Sequence, residues 1–357
     1  MALELPYITE GLPGIGGKTR ITPGHFVVEE LPLYEPLGRG KHLYVNLTRE
    51  GFTTLDIQQR LATLFGVHDG DVGFAGLKDK HARSTQTFSI PIVNVVCTPE
   101  AATAQIQRQL PVTVNWSRLH SNKLRIGHLV GNRFVITIME PDIALREAFD
   151  RAERVASTLR QTGLPNYFGP QRFGYDGENV RRGRDIVLGM LSVTNRWLQR
   201  YLVNSYQSHL CNRNLALRLS LGLFDRLLLG DVARKYSTRS LFEVKNVEVE
   251  QTRYVSHEIS FTAPIYGYEM PTATGIEGEL ESKVLEESGL TLKSFQQVKA
   301  IGSRRIGRLL PKDLEVKTTP EGLTLRFSLP KGGFATTVLR EFMKNDSRIA
   351  PENVSDD

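Results

Sequence analysis

Residues 75–86 read Ala75-Gly76-Leu77-Lys78-Asp79-Lys80-His81-Ala82-Arg83-Ser84-Thr85-Gln86. One carboxylate, Asp79, stands between Lys78 and Lys80, and the run holds no other acid. Two close cations favour the ionised form of an acid and lower its pKa. An ionised Asp on a constrained loop is a usable nucleophile. A basic loop also suits an anionic substrate such as nucleic acid. The same triplet occurs in solvated turns, where Asp is a frequent residue, so the flanks decide how it is read. Val72-Gly73-Phe74 predicts a short strand and Thr85 to Val93 a longer one. The Asp79 loop therefore joins two strands and is held from both ends.

Working outward, Ile8 to Lys18 is glycine-rich and reads as loop, and Phe26-Val27-Val28 and Leu43 to Leu47 read as strands. Thr53 or Thr54 caps a helix whose apolar face is Ile57, Leu61, Leu64 and Phe65, with Gly66 as the stop. Residues 133–139 form another strand. Asp142 is expected to cap a helix bearing Leu145, Phe149, Ala152, Val155 and Leu159 on one face. After Gly163 the texture changes: residues 164–184 are rich in Gly, Arg and aromatics. Trp197 to Leu219 is a long helical stretch, a further helix lies near 278–287, and strand patterns return at 314–316 and 323–329. There is no internal repeat. The acidic tail, Pro351 to Asp357, is expected to be disordered.

Length and composition bound the answer. The 357 residues suffice for two domains or one large one, and a 40% hydrophobic content supports buried cores. The net charge of +6 fits a polyanionic partner, but 39 acids dilute it, so any basic face is local. Cys97 and Cys211 alone make neither a disulfide framework nor a metal site. A reducing cytoplasm is the expected setting. The N-terminal Met1 to Tyr7 lacks the features of a signal peptide, and no stretch approaches a membrane span.

Gly14 to Thr19 invites a phosphate-loop reading, which fails because Leu12 stands where the first glycine belongs and Pro23 follows too soon for a helix. The eight histidines show no metal-ligand spacing, and His81, beside Asp79, reads as exposed loop or RNA contact. Arg172, Arg181, Arg182 and Arg184 cluster beside Tyr167, Phe168, Phe173 and Tyr175, a mixture that suits RNA backbone and exposed bases. The aromatics there read as a structural corner and the later arginines as RNA contacts. Lys78, Lys80, Arg304, Arg305 and Arg308 complete the expected basic contacts.

The run 75–86 resembles the signature of TruD-family pseudouridine synthases, Ala-Gly-x-Lys-Asp-Lys-x-Ala-x-Thr-x-Gln, with Ser84 in place of the usual Thr. Further segments match in the same order: Thr22-Pro23-x-x-Phe26 to Glu30, Gly131 to Phe134, Asn166 to Gly174, and Gly333 to Glu341. Together they span most of the chain. The resemblance implies an α/β (α+β) fold, a mixed-sheet catalytic domain interrupted by an inserted TRUD domain. The crossings are expected at 160/161 and 308/309, with the return segment ending at 345 before the tail.

The resemblance also implies the site. Asp79 is the expected catalyst, Phe134 and Phe334 the residues against the target base, and Asn132 a neighbour of the catalytic Asp. Asn132 and Phe134, two apart on a strand, share a face. Arg20 aligns with a basic residue that partners the nucleophile, although Gly24-His25 stand where the family commonly has Glu-Asp. The implied activity is isomerisation of uridine 13 in the D arm of tRNA, which needs no ATP, redox cofactor or metal. The RNA would be gripped by both domains, and a monomer is the default expectation. A non-catalytic RNA-binding or RNA-chaperone protein of the same fold is the alternative; it would use the basic clusters without requiring Asp79.

Overall fold

The structure, a computed structural model, describes residues 4–92 and 98–345. Val93, Cys97 and the Pro351–Asp357 tail lie outside them. Two compact units account for the chain. One comprises Gly14–Ala156, Pro311–Ala335 and Phe342–Asp357; the other comprises Met1–Pro13, Ser157–Leu310 and Thr336–Glu341. The long crossings thus fall at Ala156/Ser157 and Leu310/Pro311. The N-terminal segment and Thr336–Glu341 go with the second unit, where the sequence reading assigns them to the first.

The first stretch runs β1 (Phe26–Pro32), β2 (His42–Arg49), α1 (Thr54–Phe65), β3 (Gly73–Phe74), β4 (Arg83–Pro91), α2 (Pro99–Gln109), β5 (Thr113–His120), β6 (Leu129–Met139) and α3 (Leu145–Thr162). Thr53 caps α1 in a reciprocal box with Asp56, and Gly66 ends it at φ 64°, a left-handed conformation that glycine adopts without penalty. α3 starts later than the expected Asp142 cap. Its first bond runs from Ala148 N–H to Ala144 C=O, while the Asp142 N–H donates to Ile15. The chain in the second unit then supplies β7 (Leu164–Pro165), α4 (Glu178–Val187), α5 (Arg196–Ser220), β8 (Val232–Lys235), β9 (Leu241–Glu243), α6 (Val247–Val255), β10 (Ile259–Ile265), α7 (Gly275–Glu287), β11 (Ser303–Ile306) and β12 (Arg308–Leu309). The chain then returns to the first unit with β13 (Lys312–Thr319) and β14 (Gly322–Pro330), and α8 (Ala335–Met343) follows.

The first unit is built on an eight-stranded sheet ordered β13-β14-β6-β1-β4-β2-β5, with β3 paired to β4 off that path. Only β1 and β4 run parallel among the pairs of this sheet. One face carries α1 and α2, whose Ile57, Leu61, Ala102 and Ile106 pack on Leu43, Val45, Leu47, Phe88 and Ile90. Along β2 and β4 the same face turns polar beyond Leu47, at Arg49, Ser84 and Gln86. Register carries that face across the centre of the sheet: Val28 lies opposite Ser84 on one side and Phe134 on the other, and Glu30 lies opposite Asn132. Phe327 and Leu329 of β14 continue the two rows. Gly131 is required here, because a Cβ would lie 2.0 Å from the Leu329 carbonyl oxygen.

The second unit packs α5 against a four-stranded antiparallel sheet, β11-β10-β8-β9, and against α4 and α7. α4 comes close to α5 at Gly183, where a Cβ would meet the Leu202 carbonyl oxygen at 2.1 Å. Arg218 of α5 is fully buried. It binds Asp231 through both Nη atoms, at 2.6 and 2.8 Å, and Glu277 at 2.8 Å. Among the described residues no helix is long and apolar enough to cross a membrane.

Candidate active site

The Asp79 loop leaves β3 and enters β4 over the polar part of the sheet face, and a buried network fixes it there. Lys78 Nζ donates to Glu30 Oε2 at 2.9 Å, with both side chains almost wholly buried. The Lys78 backbone N–H donates to Thr54 Oγ1 at 2.8 Å. Thr54 Oγ1 donates in turn to Gln86 Oε1 at 3.0 Å and accepts from Arg49 Nη2 at 3.0 Å. Gln86 Nε2 closes the circuit on the Gly76 carbonyl. A buried charge is stable only when paired and hydrogen-bonded, so Lys78 is a structural cation. Its expected RNA contact is thereby corrected: its ammonium is spent on Glu30.

With Lys78 turned inward, Asp79 is left partly exposed. Its Oδ2 accepts from Arg20 Nη1, and its Oδ1 accepts from the His81 backbone N–H at 3.0 Å. Burial works to raise the carboxyl, but the Arg20 charge and the two hydrogen bonds outweigh it. The group is held below the ordinary carboxylate value and is ionised at neutral pH. The Arg20 guanidinium also lies over the Phe26 ring at 4.0 Å, and Arg20 adopts φ 62°. A left-handed backbone at a non-glycine residue costs on the order of 1–3 kcal/mol and is held only where its surroundings impose it. Lys80 and His81 are exposed on the outer side of the loop.

The neighbouring strands bring the other expected residues to the same unit. Asn132 and Phe134 share the Glu30–Val28 face. Phe134 is only 6% exposed; it stacks on Phe327 with centroids 5.4 Å apart and meets Phe26 edge-on at 6.4 Å. The ring is therefore core as well as a candidate base contact. Phe334 is half-buried in the turn between β14 and α8. Arg20 Nε, Ser84 Oγ and Asn132 Oδ1 are buried without a hydrogen-bond partner. Such atoms are few in folded proteins, and each calls for a reason.

The basic residues of the second unit divide in two. Arg181 and Arg184 are exposed and Arg182 half-buried on α4, with Arg181 paired to Glu178. Arg304, Arg305 and Arg308 correct the expectation of an RNA-contacting run. Arg304 is buried against Glu281, at 2.5 Å, and Thr262. Arg305 clamps the Asn166 backbone and side-chain oxygens at 2.8 and 2.7 Å and stacks 4.0 Å over Phe168. Arg308 is buried over the Tyr254 ring at 3.6 Å and donates to the Ile259 carbonyl. Tyr167 is buried and Phe168 and Phe173 are half-buried, but Tyr175 is 88% exposed and stands outside the expected structural corner.

Sequence reasoning does not single out the supporting residues Glu30, Arg49 and Gln86, and it offers Thr54 only as a helix cap. Glu30 and Gln86 lay inside the quoted segments, and the available signal was a charged or amide side chain at an inward strand position. Among the described residues no group of three or more His, Cys, Asp or Glu side chains is placed to hold a metal ion.

Comparison with known proteins places the chain in a family. The family profile for tRNA pseudouridine synthase D (TruD) matches residues 2–190 and 177–342. The tRNA pseudouridine synthase D of Thermus thermophilus is 43% identical over 339 residues, covering 95% of this chain and 92% of that protein. That of Anaeromyxobacter dehalogenans is 39% identical over 358 residues, covering 98% and 99%. A crystal structure from Methanosarcina mazei assigned to the same family superimposes with a TM-score of 0.77 at 25% identity, covering 97% of this chain and all of that one. On the strength of these matches along its length, the chain belongs to the tRNA pseudouridine synthase D (TruD) family.

Proposed function

We propose that this chain isomerises uridine to pseudouridine in tRNA, at position 13 of the D arm, with Asp79 as the catalytic carboxylate. The observation that carries this reading is the state of Asp79: ionised, partly exposed, and oriented by Arg20 and the His81 N–H on a loop anchored by Lys78 and Glu30. The family relationship supplies the reaction class, since the relatives bear the name tRNA pseudouridine synthase D.

The reaction conserves every atom. The N1–C1′ bond of uridine breaks, the uracil turns, and a C5–C1′ bond forms; a proton leaves C5 and N1 ends protonated. No oxidant or phosphoryl donor enters. The target nucleotide must first leave its stack, which costs a few kcal/mol. Phe134 and Phe334 offset that cost by contact with the base. The buried Asn132 Oδ1, which lacks a donor from the protein, accepts from the base edge. Asp79 acts at the glycosidic carbon, where a fixed anion is most useful as positive charge develops. Arg20 holds the carboxylate ionised and aimed until the substrate arrives.

The test is to incubate the purified chain with an unmodified tRNA transcript and map pseudouridine by chemical probing. Conversion at position 13 supports the reading. A transcript that is bound but left with all its uridines favours the non-catalytic alternative.

A further inference from the structure

Trp197, in the first turn of α5, is 71% exposed. Lone exposed apolar residues are ordinary, but this one is built into a pre-ordered stack. Its ring lies on Tyr201, one helical turn on, with centroids 5.4 Å apart and planes within 7°. The Arg172 guanidinium lies 5.6 Å over the same Tyr201 ring, and Asn179 Nδ2 reaches the Tyr201 hydroxyl at 3.5 Å. Ser205 Oγ ties the Arg172 carbonyl to α5 at 2.9 Å. Asn195 caps the helix by accepting from the Trp197 and Leu198 N–H groups at 3.0 and 3.1 Å. The indole thus projects from a fixed turn with one face covered by tyrosine and the rest open to solvent.

The charge around it has one sign on its own helix. Arg196 and Arg200 are exposed beside Trp197 and Tyr201, and α5 contains no acid between Arg196 and Ser220. α4, held close through Gly183, adds Arg181, Arg182 and Arg184 against Glu178 and Asp185. An open aromatic face with flanking arginines is the arrangement that holds an unpaired base and its phosphates.

We propose that Trp197, backed by Tyr201 and flanked by Arg196 and Arg200, stacks on an unpaired base of the RNA substrate. Trp197 belongs to the second unit and Asp79 to the first. The inference rests on the tRNA-modifying reading above. The stack is sequence-tolerant, because every base offers a π-face, and the arginines take the adjoining phosphates.

The test uses the full chain carrying Trp116→Phe, so that Trp197 is the only tryptophan, titrated with an unmodified tRNA transcript. Trp197 emission is expected to be quenched along the same isotherm that filter binding reports. Adding Trp197→Ala should weaken binding by roughly 5- to 150-fold, and Trp197→Phe should restore most of the loss. Emission that does not respond to bound tRNA overturns the proposal, as does a Trp197→Ala chain that binds like its parent. Pseudouridine formation without a quench removes the anchor and leaves the proposed activity standing; a quench without pseudouridine removes the activity and leaves the anchor.

Discussion

Replacing Lys78 with Met should destabilise the first unit by about 3–5 kcal/mol, the usual consequence of leaving one buried charge without its partner. Lys78 Nζ and Glu30 Oε2 are 2.9 Å apart, with side-chain exposures of 5% and 3%. Without the ammonium, Glu30 keeps two long hydrogen bonds, from Gln86 Nε2 and the Thr87 N–H, both 3.4 Å, and the electrostatic influence of the Arg49 guanidinium. Adding Glu30→Gln removes the stranded charge and keeps one carbonyl oxygen, which can accept from one of those two donors. The double variant should recover about 2–3 kcal/mol of the loss, a coupling typical of residues in one network. Urea unfolding followed by Trp116 fluorescence, with Trp197→Phe to silence the second unit, reads the stability of the unit concerned. Single-turnover conversion of tRNA should fall in both variants, because the lysine also holds the Asp79 loop. A Lys78→Met chain that loses less than about 1 kcal/mol, with no recovery in the double variant, would refute the assignment of Lys78 as a structural cation.

Arg20→Met should move the acid limb of the pH–rate profile upward. Asp79 is depressed below its ordinary value of 3.8, so whatever its ionisation contributes is present above that value and lost as pH falls through the lower folded pKa. Without Arg20, burial acts with less opposition, and the loss begins at higher pH; an unmoved limb would separate Arg20 from the charge state of Asp79. Phe134→Ala should cost about 3–5 kcal/mol as a core truncation. Phe134→Leu should keep the fold and lower the single-turnover rate more than tRNA affinity; an unchanged rate would leave Phe134 as packing alone. Replacing Arg181, Arg182 and Arg184 together with Gln should reduce the slope of log affinity against log salt by about 2, and an identical slope would make α4 a solvated face.

Elements with local signals were legible in the chain. The Thr53 cap, the Ile57–Phe65 face and the Gly66 stop each act within one or two turns, and α1 begins and ends where they say. The strands on either side of the Asp79 loop carried their own patterns. Arginines were not legible in the same way. Arg181 and Arg304 look alike in sequence, but one projects from a helix and the other meets Glu281 across a fold that local pattern does not encode. Lys78 is the sharper case, since it shares a triplet with the exposed Lys80 and faces inward because Glu30 stands on a neighbouring strand. Trp197 was visible only as a helical residue; its stack on Tyr201 needed the helix to be built and its inner face assigned to the core.

The claim at the centre of this account is that the charge of Asp79 does the chemistry. Asp79→Asn keeps the shape of the side chain and removes that charge. Single-turnover conversion of a tRNA transcript, measured beside filter binding and a thermal melt for the parent and the variant, tests it directly. The expected result is loss of pseudouridine formation with tRNA affinity and melting close to the parent. Appreciable conversion by the Asn variant would contradict the claim and move catalysis to another group.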